Sequence, residues 1–249
     1  MDTLQAIERR HSVRKYEDQP IQNQIASRLQ AAINVCNRVG GLNMQLVRNE
    51  PEAFGGLRAR VARFSGVSNY IAVIGEKSDD LDERAGYYGE KVVLVAQQMH
   101  LNTCWVGVSY KRVPEAYDLQ DDEKLVAVIA VGYGTTQGEP HKGKSMCDVS
   151  DGTEVSRSDP DWYKRGVVAA LMAPTAMNRQ RFYFRRNGRE VSVAAGRGPY
   201  AEVDLGIVKC HFEIGAGKEN FDWVPAPEED GGILSAISGG SDSSREQDQ

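Results

Sequence analysis

A cluster of basic and hydroxyl side chains near the N-terminus is the strongest candidate for chemistry in this chain. Residues 9–16 read Arg-Arg-His-Ser-Val-Arg-Lys-Tyr, which combines three arginines with a lysine, a histidine and a serine. Guanidinium groups donate paired hydrogen bonds and a hydroxyl adds another, so this combination suits a phosphomonoester. The same composition also suits a solvated basic turn, and the residues alone leave both interpretations open.

The composition of the chain limits the kinds of ligand that such a basic cluster could bind. The chain has 249 residues, 26% of them charged, and a formal net charge of -5. Because nucleic-acid binding needs a basic face, this balance argues against nucleic acid as a partner. The first residues lack the apolar core of a signal peptide, and no apolar run approaches the roughly 20 residues that span a bilayer. We therefore expect no membrane association and a small-molecule ligand.

The cysteines and histidines give no sign of a metal centre. The four cysteines and four histidines are dispersed along the chain, and no two cysteines form a CxxC pair. This spacing disfavours a zinc site and a disulfide framework. We expect no metal ligands, and a reducing, cytoplasmic location fits the cysteine usage best.

Apolar spacing predicts a protein of mixed helices and strands. The predicted helices are a short one capped by Asp2 and longer ones at 20–39, 87–100, 161–172 and 203–215. The predicted strands are 70–75, 125–131, 181–186 and 190–195, the last two joined by an Asn-Gly turn. Residues 132–145 are expected to form a basic loop, and residues 147–160 a polar linker.

The order of these elements occurs twice. A helix leads to Asn43-Met-Gln45 in the first half and to Asn178-Arg-Gln180 in the second. Each half then continues with a strand, a helix and a Trp-Val pair, at Trp105 and at Trp223. We therefore predict two related halves, 1–150 and 151–225, followed by a disordered tail, 226–249. Repeated use of such elements without common ancestry is the alternative.

Several segments resemble the FMN-dependent nitroreductase family. Residues 9–16 are similar to the family opening R-R-S/H-x-R-x-F/Y, and residues 173–180 (Ala-Pro-Thr-Ala-Met-Asn-Arg-Gln) to its A-P-S-x-x-N-x-Q-P-W motif. Residues 96–107 resemble its helix ending in G-L-G-x-C-W-I-G. The strand 126–131 and the basic loop after it resemble its C-terminal V-x-x-G-Y-P strand. Together these matches cover most of residues 4–224.

The chain departs from the family in the position of one motif. Ordinary members carry A-P-S-x-x-N in the region where this chain has residues 35–45 without it, and the motif follows here in the second half. The family is dimeric, with flavin between subunits that supply different motifs. The resemblance therefore implies an α+β, nitroreductase-like fold whose two halves form an intramolecular pseudo-dimer with one flavin site. Further self-association stays open.

The resemblance also implies which residues bind the cofactor. Arg10 and Ser12 would hold the FMN phosphate, with Lys142 or Lys144 assisting, although these lysines alone would suit a solvated loop. Arg14 would approach the pyrimidine edge of the flavin. The remaining predicted contacts are the His11 backbone, a backbone N–H around Val106–Val108, which includes Gly107, donating to the flavin N5, and the second-half residues Pro174, Thr175, Ala176 and Asn178.

The implied activity is ping-pong hydride transfer. NAD(P)H would reduce FMN and leave, and a nitroaromatic, a quinone or a similar small electron acceptor would take its place. Because the cofactor carries the chemistry, no protein acid or base is assigned a catalytic role. The alternatives are a flavin-binding protein without turnover, an interaction protein that has lost the flavin, and another reaction of the superfamily, such as reductive dehalogenation or flavin fragmentation.

Overall fold

The chain consists of two compact units. The computed structural model describes residues 1–140, 142–151 and 160–227. The units are Met1–His141 and Lys142–Gln249, so the division comes earlier in the chain than the predicted boundary at residue 150. Residues 152–159 of the predicted linker and the predicted tail from residue 228 onward lie outside the described residues.

Four α-helices belong to the described part of the first unit. They are α1 (Thr3–Arg9), α2 (Asn23–Gly40), α3 (Leu57–Val61) and α4 (Leu81–Gln98). The predicted cap of α1 is confirmed, since the Asp2 carboxylate accepts a hydrogen bond from Gln5 N at 2.8 Å and the Gln5 side chain accepts one from Asp2 N. Helix α4 begins earlier than the predicted residue 87, because the acidic residues Asp82 and Glu83 form its first turn, where the helix dipole favours negative charge.

A four-stranded antiparallel sheet completes the first unit. Its strands are β1 (Gln45–Val47), β2 (Tyr70–Glu76), β3 (Asn102–Val106) and β4 (Glu123–Gly132), in the order β1-β2-β4-β3. The predicted strands β2 and β4 are confirmed, and they are almost entirely buried at the centre of the sheet. Helix α4 packs against β2, β3 and β4 and also against α1 and α2, so it lies between the sheet and these two helices.

The second unit is smaller. It contains α5 (Asp161–Leu171), β5 (Phe182–Asn187), β6 (Glu190–Ala195), α6 (Ala201–Ala216) and β7 (Asp222–Trp223). The predicted hairpin of β5 and β6 is confirmed, and Gly188 supplies the positive φ of its turn. Helices α5 and α6 pack together closely because Gly166 leaves room for the ring of Phe212, which also stacks on Phe184 with centroids 4.7 Å apart.

Four short elements were not predicted. They are strand β1, helix α3, strand β3 and strand β7, which contain between two and five residues each, too few to show an apolar period. Their existence depends on pairing with distant residues, as in the register of Val47 with Tyr70. Across the described ranges, no helix combines the length and apolar character needed to cross a membrane.

The two units share an order of elements, with differences. Each has two antiparallel strands, a long helix and then a strand that carries a tryptophan. Trp105 Nε1 donates to Glu90 Oε2 at 2.8 Å, and Trp223 Nε1 donates to Glu213 Oε1 at 2.8 Å. The glutamates occupy different turns of their helices, and β7 runs parallel to β6, whereas strands β1 to β4 of the first unit pair antiparallel. The relation between the halves stays a prediction.

Candidate functional site

The predicted basic segment is held at the edge of the first unit's sheet by backbone hydrogen bonds. Val13 N donates to Thr103 O at 3.0 Å beside the start of β3, and Tyr16 N donates to Ser65 O at 2.9 Å. Buried Tyr16 also donates through its hydroxyl to Val13 O at 2.8 Å. The bonds to Thr103 and Ser65 come from chain regions far apart in sequence, so the segment has a defined backbone although it forms no regular strand.

Close packing against Gly66 fixes the same segment from another side. Gly66 has a φ of +71°, and a Cβ atom at this position would lie 2.2 Å from Tyr16 O. Only glycine combines this backbone conformation with such an approach. The turn at residues 65–66 is therefore shaped to receive residues 14–16.

Ser12 and Arg14 are exposed on this fixed backbone, and His11 is partly exposed. The Arg14 guanidinium lies over the ring of Phe64, 5.8 Å from its centroid, which restrains the side chain. Beneath them lies buried Cys104, where burial raises the pKa of the thiol, opposed by the nearby Arg14 charge and a hydrogen bond with Ser12. Thus the structure brings a hydroxyl and a guanidinium together on one short, solvent-facing segment.

Arg10 differs from its neighbours because it is only 3% exposed. Its Nε lies 3.8 Å from Glu90 Oε1, and Glu90 also accepts the hydrogen bond from Trp105 Nε1. Burial lowers the pKa of the Arg10 guanidinium, and the Glu90 charge opposes that shift. The phosphate-binding role of Arg10 stays a prediction, and the structure adds a buried ion pair that the residue spacing did not reveal.

Glu90 is the site residue that sequence reasoning missed. It is completely buried on α4, between Gly89 and the apolar pair Val92 and Val93. A carboxylate on the same helix face as Val93 and Leu94 was the available signal, because a buried charge needs a partner.

The end of β3 provides the predicted backbone donor region. Val106 is buried, Gly107 is partly exposed, and Val108 is 67% exposed. Nearby, the Asn102 side chain accepts from Gly134 N at 2.9 Å and donates to Gln137 Oε1 at 3.2 Å. Asn102 therefore anchors the loop after β4 next to β3.

Lys142 and Lys144 lie in the second unit, although the predicted boundary at residue 150 places them in the first half. Asn178 Nδ2 donates to Lys142 O at 3.0 Å, and Lys144 N donates to Gln180 Oε1 at 2.6 Å. The same Gln180 side chain donates to Leu171 O, at the end of α5. These contacts tie the lysine stretch to the Ala-Pro-Thr-Ala-Met-Asn motif and so account for its place in the second unit.

The motif itself forms a tightly bonded loop, residues 174–180. Asn178 N donates to Thr175 O at 2.8 Å, and Gln180 N donates to Thr175 Oγ1 at 3.0 Å. Ala176 N donates to both carboxylate oxygens of Asp204, at 2.9 and 3.0 Å. Pro174, Thr175 and Ala176 are partly exposed and Asn178 is exposed, so the predicted second-half contacts are together in one loop.

A family model shows where this chain belongs. The model described as "putative TM nitroreductase" matches residues 2–216. The chain belongs to the nitroreductase family. The resemblance inferred from the motifs is thereby confirmed, as are the nitroreductase-like mixed fold and the class of a nitroreductase-type oxidoreductase with small-molecule substrates. No curated protein matches the chain.

The chain is also similar to several solved structures. A "putative nitroreductase" from Thermotoga maritima is 24% identical, with a TM-score of 0.64 over 88% of this chain and 85% of that chain. A "putative nitroreductase in complex with FMN" from Desulfovibrio desulfuricans is 16% identical, with a TM-score of 0.43 over 64% of this chain and 98% of that one. A "putative NADH dehydrogenase/NAD(P)H nitroreductase" from Parabacteroides distasonis is 22% identical, with a TM-score of 0.45 over 59% and 95%.

The donor chemistry of the basic segment suits FMN. Ser12 and Arg14 offer a hydroxyl and a guanidinium, the groups that bind phosphate and the polar edge of a heterocycle. Within residues 1–140, 142–151 and 160–227, no cluster of three or more His, Cys, Asp or Glu side chains could hold a metal ion. The exposed residues of the basic segment therefore fit the proposed cofactor.

Proposed function

We propose that this nitroreductase-family chain is an FMN-dependent NAD(P)H oxidoreductase. The observation that carries the proposal is the exposure of Ser12 and Arg14 on a backbone segment fixed beside β3. Fixed donors bind an anionic cofactor without a large ordering cost, which favours tight binding. Family membership supports the reaction class.

Four residues of the proposed cofactor set have distinct roles in this proposal. The Ser12 hydroxyl binds the FMN phosphate, and the Arg14 guanidinium places positive charge where negative charge develops on the ring during reaction. Arg10 stabilises the segment through its buried ion pair with Glu90, in addition to its predicted contact with the FMN phosphate. The partly exposed Gly107 offers a backbone N–H next to β3.

FMN, when bound, would supply the hydride transfer between NAD(P)H and the acceptor. We propose a ping-pong order in which the nicotinamide leaves before a nitroaromatic, a quinone or another flat acceptor enters. The chain's own contribution is to bind and orient these molecules. Reductive dehalogenation and flavin fragmentation are the alternative reactions, which a screen of acceptors distinguishes.

Residues of the second unit are also part of the proposed cofactor set. The 174–180 loop, with Lys142 and Lys144 bonded to it, carries the motif that the family uses for flavin. The shared order of elements in the two units supports the proposal that they are related halves. Substitutions in each unit test whether both contribute to flavin binding.

Flavin binding by purified protein is the first test. We expect protein reconstituted with FMN to show the visible absorption of bound flavin. Arg14→Ala should weaken FMN binding by roughly 10- to 100-fold, because it removes a charged hydrogen-bond donor. Asn178→Ala should weaken binding as well, through loss of its bond to Lys142 O.

Arg9→Ala is the matched control, since Arg9 is an exposed arginine of the same cluster at the end of α1. It should leave FMN affinity within about twofold of the parent, because a solvated charge without a direct ligand contact contributes little. Protein that stays colourless with added FMN would contradict the proposal and favour an interaction protein. Bound FMN with only background NAD(P)H oxidation would favour flavin binding without turnover.

A further inference from the structure

The 174–180 loop has a backbone conformation that needs external support. Met177, Asn178 and Gln180 all have left-handed φ angles, of 53°, 53° and 46°. Non-glycine residues rarely adopt this conformation, and such strain persists only where surrounding contacts impose it. Met177 at the apex is 76% exposed, so its own side chain does not supply that support.

Asp204 supplies a contact from helix α6. Its two carboxylate oxygens accept from Ala176 N, the residue that immediately precedes the left-handed pair. Asp204 lies in the first turn of α6, and that turn is itself anchored by its backbone bond to Tyr200 O. The carboxyl group therefore connects a rigid helix to the start of the strained stretch.

We propose that Asp204 is a positioning residue that holds the 174–180 loop and makes the loop's affinity for its ligand depend on pH. The identity of the ligand as FMN rests on the proposed function, whereas the contact between Asp204 and the loop does not. The predicted set of flavin-binding residues does not include Asp204, because nothing in the local sequence around Asp204 indicates a contact with Ala176.

The electrostatics of this contact determine the direction of the pH effect. Burial raises the pKa of Asp204 to about 7, and the hydrogen bond from Ala176 N opposes that shift. An aspartate released to water has an ordinary pKa near ~3.9. Because Asp204 in contact with the loop keeps its proton to a higher pH than released Asp204, the contact is strongest at about pH 4 and below, weakens as the pH rises, and is weakest above about pH 7, where the ionised carboxylate favours release of the loop.

The charged groups around Asp204 do not offset this effect. Glu202 shares its helical turn, Arg179 lies on the loop, and the part of α5 from Gly166 to Leu171 has no charged side chain. Burial and the Ala176 N–H are the causes of the Asp204 shift. The pH response should therefore follow Asp204 itself.

The first experiment measures FMN affinity of full-length protein at about pH 6 and about pH 8.5. The dissociation constant of the parent relative to that of Asp204→Asn should rise roughly three- to tenfold between these pH values. Asparagine keeps an oxygen acceptor but cannot ionise, so this variant should resemble the parent at the lower pH. Comparing the two proteins at each pH cancels the titration of the FMN phosphate.

The second experiment needs no ligand. Hydrogen–deuterium exchange of the peptide covering residues 173–181 should be faster in the parent than in Asp204→Asn at about pH 8.5, and equal at about pH 6. Asp161→Asn is the matched control, because Asp161 is an exposed aspartate in the first turn of α5. It should behave as the parent does.

The two readouts separate the possible failures. Exchange rates of the parent and Asp204→Asn that stay equal at both pH values would overturn the role of Asp204, whatever FMN does. Absence of FMN binding by every protein, with the expected exchange difference, would overturn the proposed cofactor and leave the positioning role supported. Asp204→Ala should exchange faster than the parent at about pH 6, where the contact is intact, since it removes the acceptor.

Discussion

Gly66→Ala should lower the free energy of unfolding by about 3 kcal/mol or more. This loss combines the cost of a left-handed conformation at a residue with a Cβ atom and the cost of the steric overlap of that atom with the backbone. The added methyl group would lie 2.2 Å from Tyr16 O and 3.0 Å from Tyr16 C, and neither atom belongs to a side chain that can turn away. The residues 14–16 must then move, which breaks the bonds that place Arg14. We therefore expect loss of FMN binding together with loss of stability, measured by urea unfolding and flavin titration.

Gly41→Ala is the control for the conformational part of this effect. Gly41 also has a positive φ, of +60°, but the nearest atom to an added Cβ belongs to the end of the Arg84 side chain, at 3.1 Å, and not to the backbone. Its substitution should destabilise by only about 1–2 kcal/mol. Equal losses for the two variants would mean that the approach of Gly66 to Tyr16 does not hold the basic segment in place.

Glu90→Ala should destabilise the protein by about 3–5 kcal/mol, because it leaves the Arg10 charge buried without its ion-pair partner. It also removes the acceptor of the Trp105 Nε1 hydrogen bond. Glu90→Gln keeps an oxygen for Trp105 while removing the charge, so its loss should be smaller but still substantial. Urea unfolding of the three proteins measures the differences.

The exposed ion pair between Lys111 and Glu52 is the comparison for this prediction. Its N–O distance of 3.2 Å is shorter than that of the buried pair, but both side chains are largely exposed. Glu52→Ala should therefore change the free energy of unfolding by no more than about 1 kcal/mol. A Glu90→Ala variant no less stable than Glu52→Ala would contradict the assignment of Glu90 as the compensating charge for Arg10.

Local sequence was sufficient for the long elements and the family. The apolar spacing of α2 and α5 extends over several turns, so each helix shows its buried stripe without reference to the rest of the chain. The β5–β6 hairpin is marked by its Asn-Gly turn, which is equally local. The motif order gave the nitroreductase family, which the match over residues 2–216 confirms.

The residue order of the chain therefore determined the identities of the candidate ligands, including Ser12 and Arg14, but not their surroundings. Tertiary structure decided that Arg10 is buried against Glu90, that Lys144 N donates a hydrogen bond to Gln180 and that Ala176 N donates one to Asp204. These partners are 28 to 80 positions apart. Backbone periodicity reports only on neighbours within a few turns, whereas such contacts depend on how whole helices and strands pack.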